Sequence, residues 1–97
     1  MIIKIDADFA DIVPGFLSKR HEEMLVLWEA LQKGDFATLK SIGHRLKGNA
    51  GGYGFDHMGF IGAEIETAAI IKDAPKIEQA LKALDEYLKN IEIVYVD

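Results

Sequence analysis

The sequence predicts an all-α fold, an antiparallel up-down four-helix bundle with a short N-terminal lead-in. Three features of the chain point there. Apolar residues recur at intervals of three and four in four separate stretches, the spacing of a helix that buries one stripe. Only a few residues separate one stretch from the next, and those include Gly34, Asp35, Gly54 and Asp73, residue types that stop and start helices. The 97 residues, 49% apolar and 28% charged, suffice for one core of ordinary composition and leave no room for a second. One domain over residues 1–97 is therefore expected, with the bundle core at about 14–90.

Taken in order, Met1 to Ile5 reads as extended, and Asp6 to Val13 as a short helical lead-in broken by Pro14-Gly15. The first long helix runs from about Pro14, since proline is allowed in a first helical turn, to Lys33, with Leu17, Met24, Leu27, Trp28 and Leu31 on one stripe. Gly34 ends it. Asp35 caps the second helix, whose apolar face is Leu39, Ile42, Leu46, Ala50 and Tyr53 and which stops near Gly54, the residue a left-handed C-terminal turn favours. Asp56 caps a third, with Met58, Ile61, Ile65, Ala68 and the aliphatic stem of Lys72 in line. Asp73 caps a fourth, with Pro75 in its first turn and Ile77, Leu81, Leu84, Leu88 and Ile91 at heptad spacing.

Connections this short make consecutive helices antiparallel neighbours. Both chain ends then fall at the same end of the bundle. Because Ile91 to Val96 alternates like a strand, Ile2 to Ile5 and Glu92 to Tyr95 are placed to pair as a small two-stranded patch. Trp28, Phe16, Phe36 and Phe60 read as core or partly buried residues, a subset of which, not singled out by the sequence, would form an apolar rim near the exposed face of the second helix on which a partner docks.

A net charge of −5 argues against nucleic acid as a partner, although Lys40, Arg45 and Lys47 form a local basic cluster suited to an acidic protein surface. With no cysteine, neither a disulfide framework nor a thiolate metal site is available. His21 and His57 sit in a charged run and just after a cap, and the histidines show no metal-ligand spacing. No apolar run approaches the ~20 residues that span a bilayer, and Met1 to Ile5 is too short and too soon acidic for a signal peptide. A cytoplasmic monomer with no membrane contact and no cofactor of its own is expected.

The second helix carries an oddity: Gly43-His44-Arg45-Leu46-Lys47-Gly48-Asn49-Ala50-Gly51-Gly52-Tyr53-Gly54 is helical in period yet rich in glycine. At about 100° per residue, His44 lies opposite the apolar stripe, together with Ala37, Lys40, Ser41, Lys47, Gly48 and Gly51. Glycine inside a helix costs about 1 kcal/mol relative to alanine, so Gly48, Gly51 and Gly52 need a reason beyond packing. A phosphate loop is not that reason, because such a loop follows a strand and ends Gly-Lys-Ser/Thr, whereas here the lysine precedes its glycine. An accessible imidazole is a better one. A neutral ring offers one nitrogen as a nucleophile while the other holds the proton, and neighbouring ammonium groups attract a phosphoryl group.

His44, Leu46, Lys47, Gly48 and Gly54 resemble the signature of the histidine-containing phosphotransfer (HPt) domain of bacterial and fungal two-component phosphorelays. Phe55, Met58, Ile61, Ile65, Glu66 and Ala68 fit that family's next segment, so the resemblance covers roughly residues 14 to 90. It implies a phosphorelay carrier: His44 the phosphoryl acceptor, Lys47 its electrostatic support, Gly48 the clearance for a docked partner, and Lys40, Ser41, Arg45 and Gly51 the partner-binding surface. The phosphoryl group would come from the aspartate of a response-regulator receiver domain, or from a kinase such as a hybrid histidine kinase, and go to another receiver. This chain is expected to be a stand-alone or N-terminal domain of that kind, an intermediate with no complete active site, with the receiver supplying the acidic pocket and the divalent cation. Gly43 stands where that family often has alanine, and Asn49 where it has serine or alanine. Where it frequently has glutamine on the next helix, this chain has Glu66, whose carboxylate would repel a phosphoryl group if it pointed there; the sequence leaves its role open. The alternative, from another class, is a small helical bundle that regulates a signalling partner by binding alone.

Overall fold

The computed structural model describes residues 1–97 and contains four helices, α1 (Val13–Lys33), α2 (Phe36–Ala50), α3 (Asp56–Ile70) and α4 (Ala74–Asn90), flanked by strands β1 (Ile2–Asp6) and β2 (Glu92–Val96). The turns between helices are short enough that each reverses on its predecessor, and α1 meets α2, α2 meets α3, α3 meets α4 and α4 returns to α1. An all-α up-down bundle is what results. Its core is one cluster that includes Leu27, Leu39, Leu46, Met58, Ile65, Ile77, Leu81 and Leu84, all nearly inaccessible.

The expected stops and starts lie close to where their chemistry puts them. Gly34 takes a left-handed conformation at the end of α1, where its amide donates to the carbonyls of Ala30 and Leu31. The Asp35 side chain accepts from the Thr38 amide to cap α2, and Asp73 accepts from the Lys76 amide to cap α4, with Pro75 in the first turn.

Five details differ from the sequence expectation. Pro14 does not break a lead-in, because it lies in the first turn of α1; the lead-in is a 3-10 turn at Ala7–Phe9, capped by Asp6, and the chain bends at Ala10–Ile12. The α-helical part of α2 ends at Ala50, and Gly51–Tyr53 tighten into a 3-10 turn closed by left-handed Gly54, so Gly51 and Gly52 carry no helix-interior cost. Asp56 is not the cap of α3 but its first residue, with Phe55 as the uncapped residue before it, and there it favours the helix through the dipole. Lys72 is not in line with the α3 stripe, because the helix ends at Ile70 and Lys72 adopts a left-handed φ of 56° in the turn. Phe60 is neither core nor half-buried: it is 67% exposed. Phe16, Trp28 and Phe36 are partly buried as expected, and Ile91 is the partly buried residue that ends α4.

The terminal strands do pair, and they do so in parallel, Ile3 beside Ile93 and Ile5 beside Tyr95. A parallel pair needs a long crossover, and here the whole bundle is that crossover. Ile5 is buried, with Ile3 and Ile93 packed on the core beside it, so the patch closes the end of the bundle near Gly54. An aromatic chain continues inward: Tyr53 meets Phe9 edge-on at 5.8 Å and Phe16 at 4.9 Å, and Phe16 stacks on the fully buried Phe55 at 5.4 Å. These contacts fix the α2–α3 turn against the start of α1. No helix is long and apolar enough to cross a membrane.

Candidate functional site

Two glycines set the geometry. A Cβ on Gly43 would lie 2.8 Å from both the Glu66 amide nitrogen and the Gly62 carbonyl oxygen, and one on Gly62 would lie 2.7 Å from the Lys47 amide nitrogen. Backbone therefore meets backbone where α2 crosses α3, which only glycine permits. Sequence reasoning treated Gly43 merely as a small neighbour of His44 and passed over Gly62. The available signal was that Gly62 lies between Met58 and Ile65 at helical spacing, on the face of α3 that goes inward.

That close crossing brings Glu66 up to His44. The Glu66 side chain, 13% exposed, receives a hydrogen bond from His44 Nδ1 at Oε2, 2.7 Å away, and its Oε1 lies 3.5 Å from Lys47 Nζ. The bond from His44 holds the Glu66 carboxyl below its ordinary range; partial burial works the other way, and the His44 and Lys47 charges add to the lowering. An ionised carboxylate only accepts, so the proton between the two sits on Nδ1, and in the neutral ring the lone pair is then on Nε2. The imidazole itself stands 70% exposed. Glu66, whose role the sequence left open, thus engages the ring through Nδ1.

The other expected residues fall into two sets. Lys40, Ser41 and Arg45 line an open cleft of about 560 Å³ together with Ala37, His44 and Glu66. Arg45 also leans toward α1, its Nη2 3.5 Å from Glu23 Oε2, while Glu23 Oε1 lies 2.8 Å from Arg20 Nε, close but not aligned as a hydrogen bond. Gly51 is not in that cleft. It belongs to a second depression, of about 350 Å³, with Lys47, Asp56, Gly59, Phe60 and Ala63. Gly48, one turn from His44, is exposed, and a Cβ there would meet nothing within 4 Å. His21 is exposed on α1 and His57 rests on Tyr87, ring centroids 5.3 Å apart, so neither joins His44.

The arrangement holds an exposed imidazole by Nδ1, which orients Nε2 as the nucleophile of its neutral form toward a large electrophile. Glu66 is committed to Nδ1, and the cleft beside the ring is open. Comparison with protein families gives one match: the model of the Hpt domain covers residues 11–92. Comparisons with curated proteins and with solved structures each give no match. The matched span takes in all four helices and the α2–α3 crossing that carries the exposed imidazole, and the chain belongs to the Hpt domain family, the histidine-containing carriers of phosphorelays.

Proposed function

We propose that the chain accepts a phosphoryl group on Nε2 of His44 from the aspartate of a receiver domain, or from a kinase such as a hybrid histidine kinase, and passes it to the aspartate of another receiver. The observation that carries this is the 2.7 Å bond from Nδ1–H to Glu66 on an exposed ring, which in the neutral form puts the lone pair on Nε2. On receipt, the Nε2–P bond forms as the P–O bond to the donor aspartate breaks, and the bonding electrons leave on that carboxylate. The imidazolium so formed keeps its Nδ1 proton against Glu66, whose negative charge faces the new positive one. Passing the group on reverses the step. Lys47 offsets phosphoryl charge, and Gly48, with open space around it, gives a partner's loops clearance to Nε2. The partner receiver brings the acidic pocket and the divalent cation, so this domain presents the nucleophile and its partner completes the chemistry. Lys40, Ser41, Arg45 and Gly51 belong to the contact surface of a cytoplasmic monomer.

The test is phosphorylation by phosphoramidate and by a phosphorylated receiver, followed by mass spectrometry. The expected product is an acid-labile, base-stable gain of one phosphoryl group on His44, lost in a His44→Gln variant that keeps its helical circular dichroism. His21→Gln and His57→Gln should keep the gain. A wild-type chain that takes no phosphoryl group from either donor would leave only the binding reading.

A further inference from the structure

We propose that Phe60 is the anchor on which the phosphoryl-exchanging receiver seats itself, by way of an apolar socket beside that receiver's acidic pocket; the inference rests on the phosphocarrier reading above. On α3, Met58, Ile61 and Ile65 are at most 3% exposed, whereas Phe60 turns its ring outward at 67%. Phe60 is the most exposed of the chain's Phe, Tyr and Trp residues, Tyr95 following at 39%, and aromatic residues are enriched in the buried centre of protein interfaces. Phe60 stands at the lip of the depression that includes Lys47 and Gly51. Lys47 reaches Glu66 Oε1 at 3.5 Å, and Glu66 holds His44, so a body seated on Phe60 touches the network that orients the nucleophile.

Charge selects the occupant. The chain is −5 overall, yet α2 carries Lys40, Arg45 and Lys47 around His44, and a protein that holds an aspartyl phosphate in an acidic pocket complements them. Phe60 in the depression with Lys47, and Lys40 with Arg45 in the cleft with His44, would give two-point docking that fixes the approach to Nε2. Backbone access fits as well: a Cβ on Gly48 or Gly52 would meet nothing within 4 Å, so a loop can pass close to the main chain. The rival face is the α1–α2 groove lined by Ile12, Phe16, Lys19, Arg45 and Tyr53. Its aromatic rings are already committed to one another and to Phe55.

The experiment loads the wild-type chain and the Phe60→Ala and Ile12→Ser variants with phosphoramidate, then follows discharge against rising concentrations of a receiver domain that accepts from wild type. Phe60→Ala should raise the half-saturating receiver concentration about tenfold or more, with loading and melting temperature unchanged, and Ile12→Ser should stay within about twofold of wild type. Wild-type discharge kinetics in Phe60→Ala would overturn the proposal. A loss confined to Ile12→Ser would do the same in favour of the α1–α2 groove, and slowed loading of Phe60→Ala by phosphoramidate would show Phe60 acting on His44 instead of on docking. A wild-type chain that loads from no donor is a different result: it removes the phosphocarrier reading, and this inference with it.

Discussion

Gly43 and Gly48 lie on the same helix, and alanine at the two positions should move stability in opposite directions. At Gly48 the new methyl group meets nothing within 4 Å, so the variant gains only the helix propensity of alanine, about 1 kcal/mol. At Gly43 the same propensity is set against a Cβ 2.8 Å from the Gly62 oxygen and the Glu66 nitrogen, both main-chain atoms, and 3.1 Å from Ile65 Cγ2. Main chain cannot rotate aside, so α2 and α3 must part until those contacts reach the ordinary 3.4 Å. Overpacking of that kind costs about 1–3 kcal/mol, and a gap of half an ångström or more forfeits a quarter to a half of each neighbouring dispersion contact. The net for Gly43→Ala is a loss of about 1 kcal/mol. At about 4–8 °C per kcal/mol for a chain of this size, the two variants should melt roughly 10 °C apart, Gly48→Ala above wild type and Gly43→Ala below it. Parting the helices also draws Glu66 from His44, whose 2.7 Å bond has little range before it ceases to be one, so Gly43→Ala should load more slowly from phosphoramidate. Thermal melts at pH 7 by circular dichroism check the order. Gly43→Ala melting at or above Gly48→Ala would show that the crossing has slack, and the account of how Glu66 reaches His44 would be wrong.

Two further predictions concern the carboxylates. Glu66→Gln keeps an oxygen for the Nδ1 proton but loses the charge and should load more slowly than wild type yet faster than Glu66→Ala, which frees the ring and should load about tenfold to a hundredfold more slowly with helicity retained; equal rates in both would remove the positioning role. For pH, the Glu66 carboxyl is held below its unfolded value of about 4.5 and Asp35 below about 3.8, in each case chiefly by a hydrogen bond, from His44 and from Thr38. A depressed carboxyl stabilises the fold fully above the unfolded value, and that contribution fades as pH falls through the folded one. Wild type should therefore lose melting temperature on acidification below about pH 4.5 more steeply than Glu66→Gln or Asp35→Asn, and parallel acid profiles for all three would refute the assignment.

What could be read from the chain was whatever depends on neighbours in sequence. Gly34, Asp35 and Asp73 act through atoms two to four residues away, and the stripes of α1, α2 and α4 follow from helical phase alone. Phe60 was misjudged because Met58-Gly59-Phe60-Ile61-Gly62 is unbroken by a polar residue, so residue type outweighed phase; counted from Met58, Ile61 and Ile65, Phe60 lies off the buried stripe. Lys72 gave no warning either, since a left-handed turn residue is ordinarily glycine and this turn is held by the Asp73 amide donating to the Ala68 carbonyl. In the site, the exposed face around His44 came from α2 alone and was legible. The meeting of His44 with Glu66 depends on the distance between two helices, which Gly43 and Gly62 set together across the crossing.

The strand pair at the end of the bundle bears on the rate at which the fold is lost. Ile2 pairs with Glu92, so nearly the whole chain lies between partners, while each helix joins its successor across a turn of a few residues. Helical hairpins assemble early because little chain has to be ordered to close them, and a contact between distant residues waits until the intervening helices have shortened the path. The β1–β2 clasp should thus form after the folding barrier, and Ile5→Ala should then speed unfolding in stopped-flow experiments without slowing folding. Interactions of that kind leave the folding rate alone and slow unfolding. With Ile5 as its buried tooth, the clasp sets how long the four helices stay together once they have met.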